Sequence, residues 1–415
     1  MERVKTARWR RLVIGAAALF FAGLINGWSI LKAPFEAYWD PAQLGINYTV
    51  MISSFCIGGF ISGLLTRKTS SVFRLIVSAV LQFSGLFITS RLSGGSVFPL
   101  YLSYGVLSGL GIGFAYNTII STTNEWFPDK QGLSSGVLLA GFGLSSLILG
   151  RVADIMGRSE SIGWSNTFVI SAVTTGAVAL IAALLVKPPR AEIVLALRND
   201  TPVDETDGLD ANANRPDGVT DLTWRQVLKT SSFYLMFFFT AILAASGSAA
   251  ISFARDIAEE VGASTGFAVT TVGLLAVCNS IGRVTTGLIF DRFSIKASRL
   301  YCGIAAIIAP ATVTLALLIN SFPLAIIGLC MCGYTYGIAP TSLSATSAKF
   351  YGTKHFSEIF SLLSLVLLFA PLAASLAGII KDATGVFYLA FLILTGCSIV
   401  GFFINLFIKK PLSRV

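Results

Sequence analysis

Apolar residues run along this chain in blocks of about twenty, the length an α-helix needs to cross a hydrocarbon core of about 30 Å. Short polar segments separate the blocks, and the alternation continues almost from one end of the chain to the other. The pattern predicts spans at 12–34, 45–66, 73–91, 98–123, 132–151, 165–186, 231–254, 265–290, 299–320, 322–346, 358–380 and 384–408. A secretory leader would give one short apolar block at the start, so none of these reads as a cleaved signal. The expected fold class is all-α integral membrane, with twelve transmembrane helices.

Between Lys187 and Thr230 the apolar pattern stops, and Asp200, Asp204, Glu205, Asp207, Asp210, Asp217 and Asp221 gather there with Pro, Gly and Asn. Such a segment buries too little to order itself and reads as a solvated linker. The chain divides accordingly into a six-helix half over 1–186, a linker over 187–230 and a second six-helix half over 231–415. At the linker's end, Trp224, Val227 and Leu228 oppose Arg225 and Lys229, as in a short interfacial helix.

Composition agrees with the pattern: 54% of residues are hydrophobic and 12% charged. The net charge of +9 comes from Lys and Arg in separate loops, with no continuous basic stripe, which argues against nucleic acid as a partner. Basic residues mark cytoplasmic loops. Arg3, Lys5, Arg8, Arg10 and Arg11 at the start, Arg67, Lys68 and Arg74 after the second span, and Lys409, Lys410 and Arg414 at the end place both termini in the cytoplasm of a cell membrane. The six cysteines fall inside predicted spans without metal-ligand spacing, and are expected to be buried small hydrophobes.

The two halves repeat. Gly63 to Lys68 aligns with Gly287 to Arg292, Gly113 with Gly337, and Trp126-Phe127 with Phe350-Tyr351, every pair 224 residues apart. Three matches at one offset argue for a duplicated six-helix unit. Parallel repeats of this kind are a mark of secondary transporters whose substrate binds near the membrane midplane. Clusters such as Gly58, Gly59 and Gly63, Gly109, Gly111 and Gly113, or Gly136, Gly141 and Gly143, provide small faces for close helix contact.

One residue stands out chemically. Arg283 lies eight positions before Asp291, which marks the cytoplasmic end of its helix, so it sits about 12 Å inside the membrane. A buried arginine at that depth costs roughly 2.5 to 3.5 kcal/mol unless it faces a polar cavity or a partner. All 21 acidic residues fall in loops, in the linker or near helix ends, so the sequence offers no carboxylate at matching depth. A guanidinium so placed suits a carboxylate ligand, which it can grip in bidentate fashion. Asn279, four residues earlier, shares its helix face. Tyr116 and Asn117 lie at similar depth in the fourth span, and Tyr334 and Tyr336 are candidate walls from the tenth. Lys32 is a candidate outer-mouth cation, with a helical ion pair to Glu36 as the competing reading. The lone histidine, His355, falls in a loop and is assigned no proton chemistry.

The stretch Asn124-Glu125-Trp126-Phe127-Pro128-Asp129-Lys130-Gln131-Gly132-Leu133-Ser134-Ser135-Gly136 resembles the fourth-to-fifth loop signature of the oxalate:formate antiporter and monocarboxylate transporter group of the major facilitator superfamily. Similarity continues through Trp28 with Pro34, Asn279 with Arg283, Gly287 to Arg292 and the Gly352-Thr353 turn. The resemblance implies two six-helix bundles of the major facilitator type. It makes Arg283 the carboxylate-binding arginine, Tyr116 a cavity tyrosine, and Asp291, Arg292, Gly287, Asp129 and Lys130 gating or structural positions. Tyr336 falls where the oxalate exchanger has a cavity tryptophan. That exchanger's second cationic residue falls on Leu367, and its first-span tyrosines fall on Asn26 and Leu31. Animal monocarboxylate carriers place an aspartate at the position of Asn279 and a lysine near Lys32.

With one deep cation in place of two, the expected cargo is a small monocarboxylate such as lactate, pyruvate or formate, moved by alternating access with a counter-anion or a proton. The expected partners are that anion and the lipid bilayer, with no cofactor. Export of amphipathic drugs by the same fold is the alternative. An enzyme or a sensor ranks lower, because no His, Asp or Glu constellation stands near the midplane.

Overall fold

The computed structural model describes residues 2–190, 192–193 and 221–411, with a few side chains excepted, that of Asn26 among them. The acidic run from Asp200 to Asp217 expected as a linker lies outside the described residues, as does Arg414.

The major helices are α1 (Glu2–Ala22), α2 (Pro41–Leu65), α3 (Ser71–Thr89), α4 (Gly109–Asn124), α5 (Gln131–Arg158), α6 (Gly163–Leu185), α7 (Ser231–Glu260), α8 (Thr265–Arg292), α9 (Ile295–Leu318), α10 (Phe322–Tyr351), α11 in two pieces (Phe356–Ser364 and Ala370–Thr384), and α12 (Tyr388–Phe407). Their ends follow local chemistry. Ser70 and Ser294 accept the amides of Phe73 and Ala297 at the starts of α3 and α9, and Gly385, with φ of 78°, closes α11 in the left-handed conformation. The helix expected near Trp224 forms over Trp224–Val227 behind a Thr223–Gln226 capping box.

Among the described residues, eleven helices are long and apolar enough to cross a membrane. The first predicted span differs in form. Its helix begins at Glu2 with a strongly basic first half, then gives way to a 3-10 turn at Gly23–Gly27 and a single turn at Trp28–Leu31. The eleventh span is broken by a 3-10 turn at Leu365–Leu368. Pro371 explains the break, since it has no N–H for the Leu367 carbonyl and its ring crowds that position. Ahead of α4, Tyr101–Ser108 winds as a π-helix, whose wider turn lets the Ser108 hydroxyl reach the Ser103 carbonyl at 3.4 Å.

Contacts divide the chain into two compact units. The first comprises 1–129, 141–200 and 360–365, and the second 130–140, 201–359 and 366–415. Within the first, α2 packs on α4 and α3 on α6; within the second, α8 packs on α10 and α9 on α10 and α12. Glycine is required at these crossings. A methyl group on Gly58 would overlap Leu110, one on Gly109 would overlap Met51, and one on Gly113 would overlap Phe55. Displaced by 224 residues, the same three crossings recur: Gly282 against Tyr334, Gly333 against Leu275 and Gly337 against Asn279. The repeat read from sequence therefore extends to individual backbone contacts.

Two expectations change. Cys56, Cys302 and Cys332 are buried, but Cys278 and Cys330 are half-buried and Cys397 is exposed on the face of α12 that also carries Ile393 and Val400. His355 is buried at the start of α11, its Nδ1 3.4 Å from a Glu358 carboxylate oxygen, and not in an open loop.

Candidate functional site

Arg283 projects from the middle of α8 and is only 6% exposed. Its Nε donates to Asn279 Oδ1 at 3.0 Å, one turn back along the same helix. Its Nη1 donates to the main-chain carbonyl of Leu139 in α5. Both acceptors are uncharged, and the stretches of α5, α8 and α10 around them, 131–153, 265–290 and 322–351, carry no Asp or Glu. The site includes a buried guanidinium whose plane is set by a side-chain amide and a peptide carbonyl.

The backbone of α8 is held from two sides. On one, α5 runs antiparallel to it: Gly132 lies against Gly287 and Gly136 against the Arg283 carbonyl, with no room for a Cβ at any of these glycines. At the cytoplasmic end of this crossing, Asp291 accepts the Gly132 amide at 2.9 Å and the Leu133 amide at 2.7 Å. These amides belong to the first turn of α5 and have no acceptor within their own helix, so Asp291 acts as a cap supplied by a neighbour. On the other side, α10 approaches through Gly333 and Gly337.

The remaining sequence candidates fall at various distances from this arrangement. Tyr334 directs its hydroxyl to Thr285 Oγ1 at 2.6 Å and to the Tyr301 hydroxyl. Thr285 follows Arg283 by two residues, about 200° around the helix, so that hydroxyl is on another face of α8. Tyr336 is half-buried and packs against Gly247 of α7. Tyr116 and Asn117 are buried in the first unit, where the Tyr116 ring lies 5.1 Å from Phe55, 5.2 Å from Phe142 and 6.1 Å from Phe360. Lys32 pairs with Glu36 at 3.0 Å, as the competing reading anticipated. Asp129 is held by Arg8 at 2.8 Å, while Lys130 and Arg292 are exposed. Asn26 belongs to the 3-10 turn at Gly23–Gly27, its side chain outside the described residues.

Sequence reasoning missed Leu139, because a main-chain carbonyl carries no signal in the amino-acid code. It also missed Arg299, which is buried and donates to the side chain and carbonyl of Asn405 and to the Ile408 carbonyl, capping the end of α12. A basic residue near a helix terminus whose carbonyls need partners was the available clue.

Among the described residues, eleven membrane-length helices in a duplicated arrangement, with glycine-lined crossings and an arginine buried in α8, define a multi-pass membrane protein of transporter-like architecture. A model of the Major Facilitator Superfamily matches residues 12–375, and the chain belongs to that family. It is 25% identical to the uncharacterized MFS-type transporter YhjX of Escherichia coli over 69% of this chain and 67% of that protein. It is 24% identical to monocarboxylate transporter 12 of Rattus norvegicus over 88% and 77%, and 21% identical to the oxalate:formate antiporter of Oxalobacter formigenes over 84% and 78%. Among solved structures, a variant of the E. coli fucose:proton symporter FucP superposes with a TM-score of 0.71 at 17% identity, covering 98% of this chain and 100% of that one. The proton:xylose symporter XylE gives 0.71 at 14% identity, covering 99% and 97%. These two likenesses establish the fold.

Proposed function

We propose that this protein moves small monocarboxylates, such as lactate, pyruvate or formate, across a cell membrane by alternating access, with Arg283 as the carboxylate-binding group. The observation that carries this reading is the burial of an arginine within membrane-spanning α8, its guanidinium plane set by Asn279 Oδ1 and the Leu139 carbonyl. A permanent cation inside a membrane protein is retained at a cost of roughly 2.5 to 3.5 kcal/mol, which a ligand anion offsets when it binds. Bidentate pairing with a planar carboxylate is the interaction for which arginine is best shaped. Curated relatives named for monocarboxylate transport and for oxalate:formate exchange support the same substrate class.

Neutralising Arg283 lowers the cost of enclosing it in a low-dielectric environment, so the loaded carrier reorients faster than the empty one. That favours exchange of one anion for another, and proton symport is the second mode of coupling. The 1–186 and 231–415 segments act as the two transport halves, and both termini lie in the cytoplasm. Counterflow of labelled pyruvate, lactate, formate and oxalate in proteoliposomes, with and without a pH gradient, tests substrate and coupling together. Arg283→Gln is expected to abolish carboxylate counterflow; full activity in that variant would overturn the assignment.

A further inference from the structure

Arg283 touches α5 twice, through its guanidinium on the Leu139 carbonyl and through its own carbonyl beside Gly136. With Gly132 against Gly287 and the Asp291 cap on Gly132 and Leu133, these contacts form one antiparallel seam along the first three turns of α5. Residues 130–140 accordingly group with the second unit, while the rest of α5 groups with the first. Of these seam contacts, the bond to Leu139 is the one that uses a group a bound carboxylate would need.

Leu139 lies inside α5, where each carbonyl already receives the amide four residues on. Losing the arginine therefore leaves that oxygen satisfied. A carboxylate, in turn, holds a guanidinium more strongly than a neutral carbonyl does. Resting on the carboxylate reading of Arg283, we propose that the Leu139 carbonyl is a placeholder for substrate: in the empty carrier Arg283 latches α5 onto α8, and an arriving carboxylate takes the Nη group and releases the start of α5. The same arginine thus binds the cargo and reports its presence to the helix whose first turn Asp291 caps. Gly132 and Gly136 provide the close approach that brings the Leu139 carbonyl within reach.

Ser135 and Ser344 provide the gauge, because their hydroxyls stand 2.7 Å apart between α5 and α10 within the second unit. Side chains whose Oγ atoms touch put the Sγ atoms of cysteines at both positions close to each other, so an oxidant can join them when the seam is closed. In full-length protein with the six native cysteines replaced by alanine, the copper-phenanthroline cross-linking rate of S135C/S344C reads closure of the seam. Loss of one hydrogen bond from a charged donor is expected to slow cross-linking by about tenfold in Arg283→Gln without substrate. Saturating pyruvate, formate or oxalate, whichever sustains counterflow, is expected to slow the Arg283 protein to a similar degree and to leave Arg283→Gln unchanged. Arg283→Lys, which keeps the charge but lacks the planar fork, is expected to fall between them and serves if the glutamine variant does not fold. Equal rates in all variants, with and without carboxylate, would remove the latch even where Arg283→Gln has lost counterflow. Undiminished counterflow in Arg283→Gln would remove the carboxylate site itself, whatever the cross-linking shows.

Discussion

The cap that Asp291 places on α5 can be tested at the level of single amides. Gly132 and Leu133 are the second and third residues of α5, where helix geometry provides no internal acceptor, and both N–H groups point to the Asp291 carboxylate at 2.9 and 2.7 Å. Asp291→Ala removes both bonds along with a negative charge at the positive end of the helix. Caps of this type are worth typically about 1 kcal/mol for one bond, and a charged acceptor strengthens each. Asp291 is half-buried, so water replaces part of what is lost. A loss of about 2 kcal/mol for the pair follows, which corresponds to roughly a thirtyfold rise in the opening equilibrium of these two amides. Asp291→Asn keeps one neutral acceptor and should lose about 1 kcal/mol, or roughly fivefold.

Hydrogen exchange read by mass spectrometry on peptides spanning 129–134 measures this directly, in protein reconstituted into nanodiscs. The amide of Phe73, capped independently by Ser70 at 3.2 Å, is the internal control and should not change. Exchange at Gly132 and Leu133 within threefold of the unaltered protein in Asp291→Ala would refute the cap, and with it the claim that α8 holds the start of α5.

Gly287→Ala puts a methyl group into the Gly132 carbonyl, an overpacking that typically costs about 1 to 3 kcal/mol; a lower melting temperature and slower counterflow are expected, and an unchanged Tm would show that the seam is looser than described. Tyr334→Phe loses the hydroxyl bonds to Thr285 and Tyr301, a stability loss of about 1 kcal/mol. Because that hydroxyl lies off the Arg283 face, the KM for carboxylate should stay within twofold, and a tenfold rise would return Tyr334 to the substrate site.

How much of this is legible in the sequence depends on what kind of group carries each feature. Helix positions follow from apolar length, and the duplication from glycines and aromatics at a constant offset. Arg283 is conspicuous because burying a guanidinium is costly. Leu139 is invisible because its contribution is a peptide carbonyl, and the reach of Arg283 toward α5 depends on Gly132 and Gly136 being small, a property the sequence displays without saying what it admits. The break in α11 is foreshadowed by Pro371, whose effect on the carbonyl four residues back is local chemistry. Tyr334 and Tyr336 are candidate cavity walls by depth alone, and depth does not fix azimuth: two residues along a helix turn a side chain through about 200°.

The duplication also shows where the chemistry entered. Since Gly58, Gly109 and Gly113 repeat their crossings at Gly282, Gly333 and Gly337, the backbones of α2 with α4 and of α8 with α10 are held by equivalent contacts, and the side chains are free to differ. At the same offset, Phe55 corresponds to Asn279 and Gly59 to Arg283. The first unit fills its version of the position with an aromatic cluster of Phe55, Tyr116 and Phe142. The second fills it with an amide orienting a cation. The seam diverges likewise, for Gly63 corresponds to Gly287 but Arg67 to Asp291. An arginine cannot accept amides at a helix start, where the dipole already favours negative charge. The start of α11, the counterpart of the α5 start, instead carries its own acid, Glu358, in its first turn beside His355. Glycine contacts preserve the frame in both copies, so a single arginine at the Gly59-equivalent position gives one unit a charge without disturbing how its helices pack.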